Sequence, residues 1–277
     1  MLNYDYEFYE EPFPHIIIKD FIRDTALVDY LANNTHLSDY MQDFSDGQRV
    51  ACYSMNQLRA YDSRDKLTHW TTALDSHKGV YGIYVDGEDD KEFRLAVENV
   101  SRRIIHDEIF WKILKEYFEP HLEKEYSNYG ETWETMFRES IYGAYNKTSV
   151  AKQVIGWHLD NGNKLLSGFV YLKEDGDLSE DSELYLTDGK DRLIKEIPFE
   201  NNLMIIWPNL KNSWHKAGVR WPTKHLRRLI QLNLFTSQRT ITGNDLYYHT
   251  YQTEKTKTVD ETNVFSDKIF GIKDEIV

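Results

Sequence analysis

The segment Gly156-Trp157-His158-Leu159-Asp160 places an imidazole and a carboxylate two residues apart. On a β-strand, side chains at this spacing leave the backbone on the same face. A second histidine, His215, follows in the segment Trp214-His215-Lys216-Ala217-Gly218. Two neutral imidazoles and one carboxylate form a facial triad that holds a metal ion and leaves three of its positions open. We therefore expect His158, Asp160 and His215 to be metal ligands.

Three open positions suit a particular chemistry, because a 2-oxo acid can chelate a metal through two of them while dioxygen takes the third. If that acid is a diacid, its far carboxylate needs an anchor, and the planar fork of arginine grips carboxylates in a bidentate manner. The predicted strand that begins Arg227-Arg228 supplies two candidates. Its alternation groups Arg227 with Leu229, Gln231 and Asn233, and Arg228 with Ile230, Leu232 and Leu234. Because a ligand cavity requires polar groups, this pattern favours Arg227, and a register slip of one residue would favour Arg228.

These residues resemble the Fe(II)/2-oxoglutarate-dependent dioxygenases, specifically their prolyl-hydroxylase-like branch common in bacteria and large phages. The resemblance covers most of the chain. Besides the residues above, it rests on the opening Pro12-Phe13-Pro14-His15-Ile16-Ile17-Ile18, on His158-Leu159-Asp160-Asn161, and on Lys164-Leu165-Leu166-Ser167-Gly168-Phe169-Val170-Tyr171-Leu172. Asp181-Ser182-Glu183 stands where family members often carry Gly-Gly, so the substrate preference is not implied.

The resemblance implies a fold, a reaction and a set of roles. His158, Asp160 and His215 would hold Fe(II), Arg227 would pair with the tail of 2-oxoglutarate, and Tyr145 and Tyr171 would hydrogen-bond this co-substrate. The implied reaction consumes O2, hydroxylates a C–H bond of a small molecule, amino acid or peptidyl (proline-like) substrate, and releases succinate and CO2. The retained carboxylate of Asp160 favours hydroxylation over halogenation.

Three other interpretations stay open at this stage. In the first, His158 and His215 are hydrogen-bonded core histidines and Asp160 is a turn residue. In the second, the chain is a non-catalytic jelly-roll module that keeps the ligands for binding or assembly. In the third, it is a cupin-like metal enzyme, which has no need of Arg227.

Composition excludes several classes of protein. The chain has 277 residues, with 33 lysines and arginines against 46 aspartates and glutamates, for a net charge of −13. Phosphate backbones are bound by clustered cations, so we expect no nucleic-acid partner. The single cysteine, Cys52, excludes an internal disulfide and predicts a reducing, cytoplasmic location. No apolar stretch is long enough for a membrane span, and the oligomeric state is left open.

The chain reads as one oxygenase domain over residues 1–277, mainly β with α additions. Residues 1–134 form a helical and irregular N-terminal part, 135–237 a double-stranded β-helix (jelly-roll) core, and 238–277 a C-terminal extension. The N-terminal helices are expected to pack on one sheet.

Hydrophobic spacing predicts the individual elements. A short β entry spans 12–19, and a helix capped by Asp20 or Asp24 follows. Loops with short helical or strand pieces fill 37–90. A long helical segment runs from Glu92 to about Tyr126, which Pro120 should kink or end. Period-two patterns then predict strands at 137–145, 156–160, 166–172, 183–187, 202–207, 213–218 and 227–236.

Two further histidines and one acidic run are expected to play no part in the site. His15 and His225 are interpreted as loop or surface residues. The acidic run Glu174–Asp181 lacks the glycine and closing glutamate of a calcium loop and is interpreted as a solvated hairpin loop.

Overall fold

The computed structural model describes residues 1–34, 48–57, 65–69, 91–126, 132–134, 136–146, 159–160, 164–178, 184–188, 194–217 and 225–236. Within these ranges the chain forms three helices and eleven strands. The helices are α1 (Thr25–Asn33), α2 (Lys91–Ile105) and α3 (Glu108–Glu125). The strands are β1 (Tyr6–Tyr9), β2 (His15–Ile18), β3 (Gln48–Gln57), β4 (Asp65–His69), β5 (Phe137–Asn146), β6 (Lys164–Leu172), β7 (Leu184–Thr187), β8 (Ile194–Ile197), β9 (Met204–Pro208), β10 (Trp214–Ala217) and β11 (Arg227–Phe235).

The strands form two antiparallel sheets. The large sheet has the order β1-β2-β9-β6-β11-β5-β3-β4, and the small sheet has the order β10-β7-β8. From β5 onward the chain moves between the sheets, since β5, β6, β9 and β11 lie in the large sheet and β7, β8 and β10 lie in the small one. The prediction of a mainly β protein with helical additions is therefore confirmed.

Each face of the large sheet has its own apolar core. The outer cluster joins residues of all three helices to the sheet, among them Leu31, Val97 and Leu114 against Ile230 and Leu232. We call the second group the inner cluster, because it joins the large sheet to the small one. Its buried members are Phe13, Ile17, Tyr171, Leu184, Leu186, Ile197, Phe199, Leu203, Ile205, Trp207 and Leu229. The N-terminal helices thus pack on the side of the large sheet that faces away from the small sheet.

The alternation of β11 explains how one strand serves both cores. Ile230, Leu232 and Leu234 belong to the outer cluster, whereas Leu229 belongs to the inner one. The strand pairs along its length with β5 on one side and β6 on the other, so it lies at the centre of the sheet. Its register and faces are consequently fixed from both sides.

The strands β6 and β9 approach each other closely at Gly168. This residue is paired with Ile206, and a Cβ atom at Gly168 would lie 2.7 Å from the carbonyl oxygen of Ile205 and 2.8 Å from the Cβ of Ile206. Only glycine fits there without moving the neighbouring strand.

Several predictions of local structure were wrong. The helical segment is two helices, because Asp107 interrupts it and caps α3 by accepting a hydrogen bond from the backbone N–H of Phe110 at 2.9 Å. Of the two effects predicted for Pro120, ending the helix is wrong, because α3 continues to Glu125, and a kink stays a prediction. The stretch at 37–90, predicted as loops with short helical or strand pieces, contains the short strand β4 and also the ten-residue strand β3, which is longer than predicted and pairs with β5 along almost its whole length. Between the two candidate caps of α1, the structure selects Asp24.

No helix in the described ranges is long and apolar enough to cross a lipid bilayer. The single-domain boundaries stay a prediction, and the predicted C-terminal extension at 238–277 lies outside the described residues.

Candidate functional site

Asp160 and His215 face each other at one end of the space between the sheets. His215 lies on β10 and is 3% exposed, and its Nδ1 is 3.1 Å from the carbonyl oxygen of Ser213. A carbonyl can only accept a hydrogen bond, so Nδ1 carries a proton, and it is Nε2 that has the lone pair when the ring is neutral. This Nε2 lies 3.8 Å from Oδ2 of Asp160. An imidazole lone pair and a carboxylate oxygen therefore converge, which is the donor set that a divalent transition metal takes.

Lys164 holds the other oxygen of the same carboxylate. Its Nζ is 3.3 Å from Oδ1 of Asp160, and both side chains are largely buried. Lys164 is itself positioned as the first residue of β6, where its carbonyl accepts a hydrogen bond from the side chain of Asn209 at 2.9 Å. The sequence reasoning missed this contact, although a lysine four residues after a candidate ligand is visible in the sequence.

The third predicted ligand, His158, lies outside the described residues, as does most of the predicted strand at 156–160. Leu159 and Asp160, at its end, are described and belong to no strand. Among the described residues, no group of three His, Cys, Asp or Glu side chains comes together that could hold a metal ion. The role of His158 thus remains a prediction.

Arg227 lies at the other end of the inner face. Its side chain is only 5% exposed, and its guanidinium carbon lies 5.8 Å from the centre of the Tyr171 ring and 5.7 Å from that of Phe199. Its Nε is buried and has no hydrogen-bond partner among the residues that the structure describes. A permanently charged group is costly to bury without a counter-ion, so this position is suited to receive an anion.

Arg228 points to the opposite face, where its two terminal nitrogens hold the fold, although its Nε also has no hydrogen-bond partner among the described residues. Its guanidinium donates hydrogen bonds to the carbonyl oxygens of Ala32 and Asn34 at the end of α1. It also pairs with Glu174 at 2.9 Å. The structure therefore separates the two arginines: Arg228 binds helix α1 on the outer side, and Arg227 faces the inner cluster.

Aromatic side chains connect the two ends of the site. The ring centres of His215 and Trp207 are 4.8 Å apart, and those of Trp207 and Phe169 are 5.5 Å apart. The ring centres of Tyr171 and Phe169 are 6.2 Å apart, and the guanidinium of Arg227 lies over the Tyr171 ring. The imidazole and the guanidinium consequently border one continuous wall of the inner cluster.

The two predicted tyrosines have different standing. Tyr171 is fully buried beside Arg227, as described above. For Tyr145, the register pairs its Cα atom with that of Arg227 across β5 and β11, and its side chain lies outside the described part of the structure.

The predictions for two other histidines and for the acidic run need correction. His15 is not on the surface: it is fully buried in β2, donates from Nδ1 to the carbonyl oxygen of Phe13 at 2.7 Å, and has its pKa lowered to about 4, mainly by burial. His225 does lie in a loop, in the bend before β11, but it is largely buried and lies 3.1 Å from Glu174. Glu174 therefore contacts both His225 and Arg228, and Asp177 is also buried, whereas Asp175, Gly176 and Leu178 are exposed, so the described start of the acidic run is solvated only in part.

The chain matches no protein-family model and no curated protein. It is similar to the solved structure of IDO from Bacillus thuringiensis, at 9% identity and a TM-score of 0.47, over 81% of this chain and 91% of that one. It is also similar to an oxidoreductase of the 2OG-Fe(II) oxygenase family from Burkholderia pseudomallei (12% identity, TM-score 0.43, 81% of this chain and 86% of that one). A prolyl-4-hydroxylase from Pseudomonas putida matches at 10% identity and a TM-score of 0.39, over 81% and 93% of the two chains. Similarities of this size assign neither a family nor a reaction.

Proposed function

We propose that this protein is an Fe(II)- and 2-oxoglutarate-dependent oxygenase that hydroxylates a C–H bond of a small molecule, amino acid or peptidyl substrate. One observation carries the proposal: a buried guanidinium without a hydrogen-bond partner at its Nε, and a converging imidazole and carboxylate, lie at two ends of the same aromatic wall. A diacid that chelates a metal through one end and needs a cation at the other fits both.

The residues fit the iron that this function requires. Asp160 and His215 offer one carboxylate oxygen and one imidazole nitrogen towards a common point, and the predicted third ligand is His158. Lys164 would keep the carboxylate of Asp160 oriented by holding its second oxygen. The carbonyl of Ser213 fixes the tautomer of His215, so that Nε2 remains the ligand atom.

The remaining residues of the site bind and shield the co-substrate. Arg227 would form a bidentate pair with the far carboxylate of 2-oxoglutarate, with Tyr145 and Tyr171 as hydrogen-bonding neighbours. Phe169, Trp207 and Leu229 would exclude water from the space between. When bound, iron and 2-oxoglutarate supply the oxidising power from O2, with succinate and CO2 as co-products.

The strand arrangement supports the finer fold proposal, a double-stranded β-helix. A jelly roll is built from two facing sheets between which the chain passes repeatedly, and from β5 to β11 the chain passes from the large sheet to the small one and back twice. The core at 135–237, within one domain spanning 1–277, is part of the same proposal.

A cupin-like or non-catalytic metal-binding protein remains the alternative function. Either would use the histidines and Asp160. Neither requires an inward-facing arginine with no hydrogen-bond partner at its Nε among the described residues, and Arg227 for this reason favours the oxygenase.

The test is an anaerobic titration of the metal-free protein with Fe(II) and 2-oxoglutarate, watching for the visible charge-transfer band of the chelate. We expect a band in the wild type and none in His158→Ala, Asp160→Ala or His215→Ala. His106→Ala is a matched control, because His106 lies exposed between α2 and α3 and should leave the band unchanged.

Iron binding without a band would overturn the 2-oxoglutarate assignment and support the cupin-like alternative. A band that survives in His158→Ala would keep the reaction class but remove His158 from the ligand set. If the band behaves as expected, succinate release then serves to screen substrates.

A further inference from the structure

Ser167 and Trp207 form a buried polar pair on the inner face of the large sheet. Their Cα atoms are directly paired across β6 and β9, and neither side chain is exposed. Directly paired residues of antiparallel strands point to the same face. Trp207 belongs to the inner cluster, and Ser167 shares its strand face with Phe169, whose ring contacts Trp207. Both polar side chains therefore belong to the inner face.

Both residues carry a hydrogen-bond donor that is not used. Among the described residues, neither Oγ of Ser167 nor Nε1 of Trp207 has a hydrogen-bond partner. Buried polar atoms in native proteins are nearly always paired, so two neighbouring orphan donors indicate a missing acceptor. The indole N–H can only donate, and the hydroxyl can donate as well.

The nearest polar neighbours do not supply this acceptor. Asn233 is paired with Ser167 across β6 and β11, but its side-chain amide donates to Glu139 at 2.7 Å, and its oxygen lies 3.4 Å from Nε2 of Gln231. Trp207 lies against the ring of His215, which places the pair at the metal end of the proposed site.

The pair is not needed for the proposed co-substrate. The far carboxylate of 2-oxoglutarate is assigned to Arg227, and its other end is assigned to the metal. Arg227 is six residues from Asn233 on β11, which separates their Cα atoms by about 20 Å. The unused donors are therefore out of reach of the far carboxylate, and the chelating atoms at the other end are assigned to the metal.

We propose that Ser167 Oγ and Trp207 Nε1 form a two-donor subsite that binds an acceptor oxygen of the organic substrate, either a carboxylate or an amide carbonyl. The inference rests on the proposed function and deepens it, because it states which group the substrate presents at the metal end. Two uncharged donors in apolar surroundings bind an acceptor oxygen and disfavour an ammonium group or a bare alkyl group at this point.

The test uses the full-length, metal-free protein with 15N-labelled indole groups. The chain has seven tryptophans, and Trp207→Phe identifies the resonance of Trp207. The probes are acetate, for the carboxylate, and N-methylacetamide, for the amide carbonyl. We expect one of them to shift the Trp207 N–H resonance saturably, and we expect Ser167→Ala to weaken that binding about tenfold, with recovery in Ser167→Thr.

Ser101→Ala is the matched control, because Ser101 is an equally buried serine whose hydroxyl is paired with that of Ser140 at 3.0 Å. It should leave the titration unchanged. A Trp207 resonance that responds to neither probe, or that responds equally in Ser167→Ala, would overturn the subsite and assign the position to a bound water.

The two proposals fail separately. Ser167→Ala should retain the charge-transfer band with Fe(II) and 2-oxoglutarate, because Ser167 is neither a predicted iron ligand nor the predicted anchor of the far carboxylate. If no variant or wild-type sample shows the band, the oxygenase assignment fails whatever the indole titration gives. If the band is present and the titration is silent, only the subsite fails.

Discussion

Replacing Arg227 by methionine is expected to stabilise the ligand-free protein while abolishing its binding of 2-oxoglutarate. The side chain is almost completely buried, and its Nε has no hydrogen-bond partner among the described residues. Methionine has a similar length, no charge, and fills irregular apolar space well. The same substitution at the neighbouring Arg228 should have the opposite effect on stability.

The magnitudes follow from the contacts. Replacing a buried charge by an apolar side chain of similar volume stabilises by about 1–4 kcal/mol, from which the lost contacts with the Tyr171 and Phe199 rings subtract about 1 kcal/mol. We therefore expect a net gain of about 0–3 kcal/mol for Arg227→Met. Arg228→Met removes hydrogen bonds to two carbonyls and breaks the buried ion pair with Glu174, which costs about 3–5 kcal/mol.

Ligand binding should change in the other direction. Two charge-assisted hydrogen bonds are worth about 1.5–3 kcal/mol each, so losing the bidentate pair should weaken 2-oxoglutarate binding by about two to four orders of magnitude. At a ligand concentration a hundred times the dissociation constant, the wild type gains about 2.7 kcal/mol of stability, and Arg227→Met should gain almost none.

Urea unfolding followed by far-UV circular dichroism, with and without Fe(II) and 2-oxoglutarate under anaerobic conditions, measures both effects. The reasoning would be refuted if Arg227→Met lost as much stability as Arg228→Met and was still stabilised by 2-oxoglutarate. That result would mean that Arg227 holds the fold together and does not await an anion.

Three other predictions test the fold around the site. Burial lowers the pKa of His15 from 6.5 to about 4, so between these pH values the unfolded chain binds a proton that the folded protein does not. The free energy of unfolding should therefore fall by up to about 3 kcal/mol as the pH falls through this window. Urea titrations at pH 7 and 4.5 should show the loss in the wild type but not in His15→Phe. Asp107→Ala removes the cap that accepts from the N–H of Phe110, and calorimetry should show a loss of about 1–2 kcal/mol that Asp107→Asn largely restores. Gly168→Ala forces a methyl group against the carbonyl oxygen of Ile205 and should lower the free energy of unfolding in urea by about 1–3 kcal/mol. A decrease below about 0.5 kcal/mol, which is the scatter of a neutral surface substitution, would show that β6 and β9 can separate there.

The strands of the core could be predicted from the sequence because their side chains alternate between two differently populated faces. β11 is the clearest case: its bounds differ from the predicted ones by a single residue, and its apolar positions Ile230, Leu232 and Leu234 lie together in the outer cluster. The break between α2 and α3 was missed, since the apolar spacing continues through it and only the cap at Asp107 marks it.

Features that depend on distant partners could not be predicted. His15 is buried because Phe13 and Tyr9 enclose it, and no periodic pattern distinguishes such a histidine from one on a loop. The strand β3 has a mixed polar composition, and its extended form follows from its pairing with β5. The alternation along β11 favoured Arg227 as the carboxylate anchor. The hydrogen bonds of Arg228 could not be predicted, because its partners lie far from it along the chain.

The adjacent arginines on β11 also act on the folding of the strand. A slip of one residue in the pairing would exchange their faces, directing Arg227 into the apolar core beneath the helices and withdrawing Arg228 from the end of α1. A sheet in this register would bury the unpaired charge of Arg227 in the outer core. It would also remove the hydrogen-bond donors that Arg228 supplies to the end of α1. The two arginines therefore disfavour the slipped register of the central sheet. A chain that folds with helix α1 docked has also placed Arg227 on the inner face.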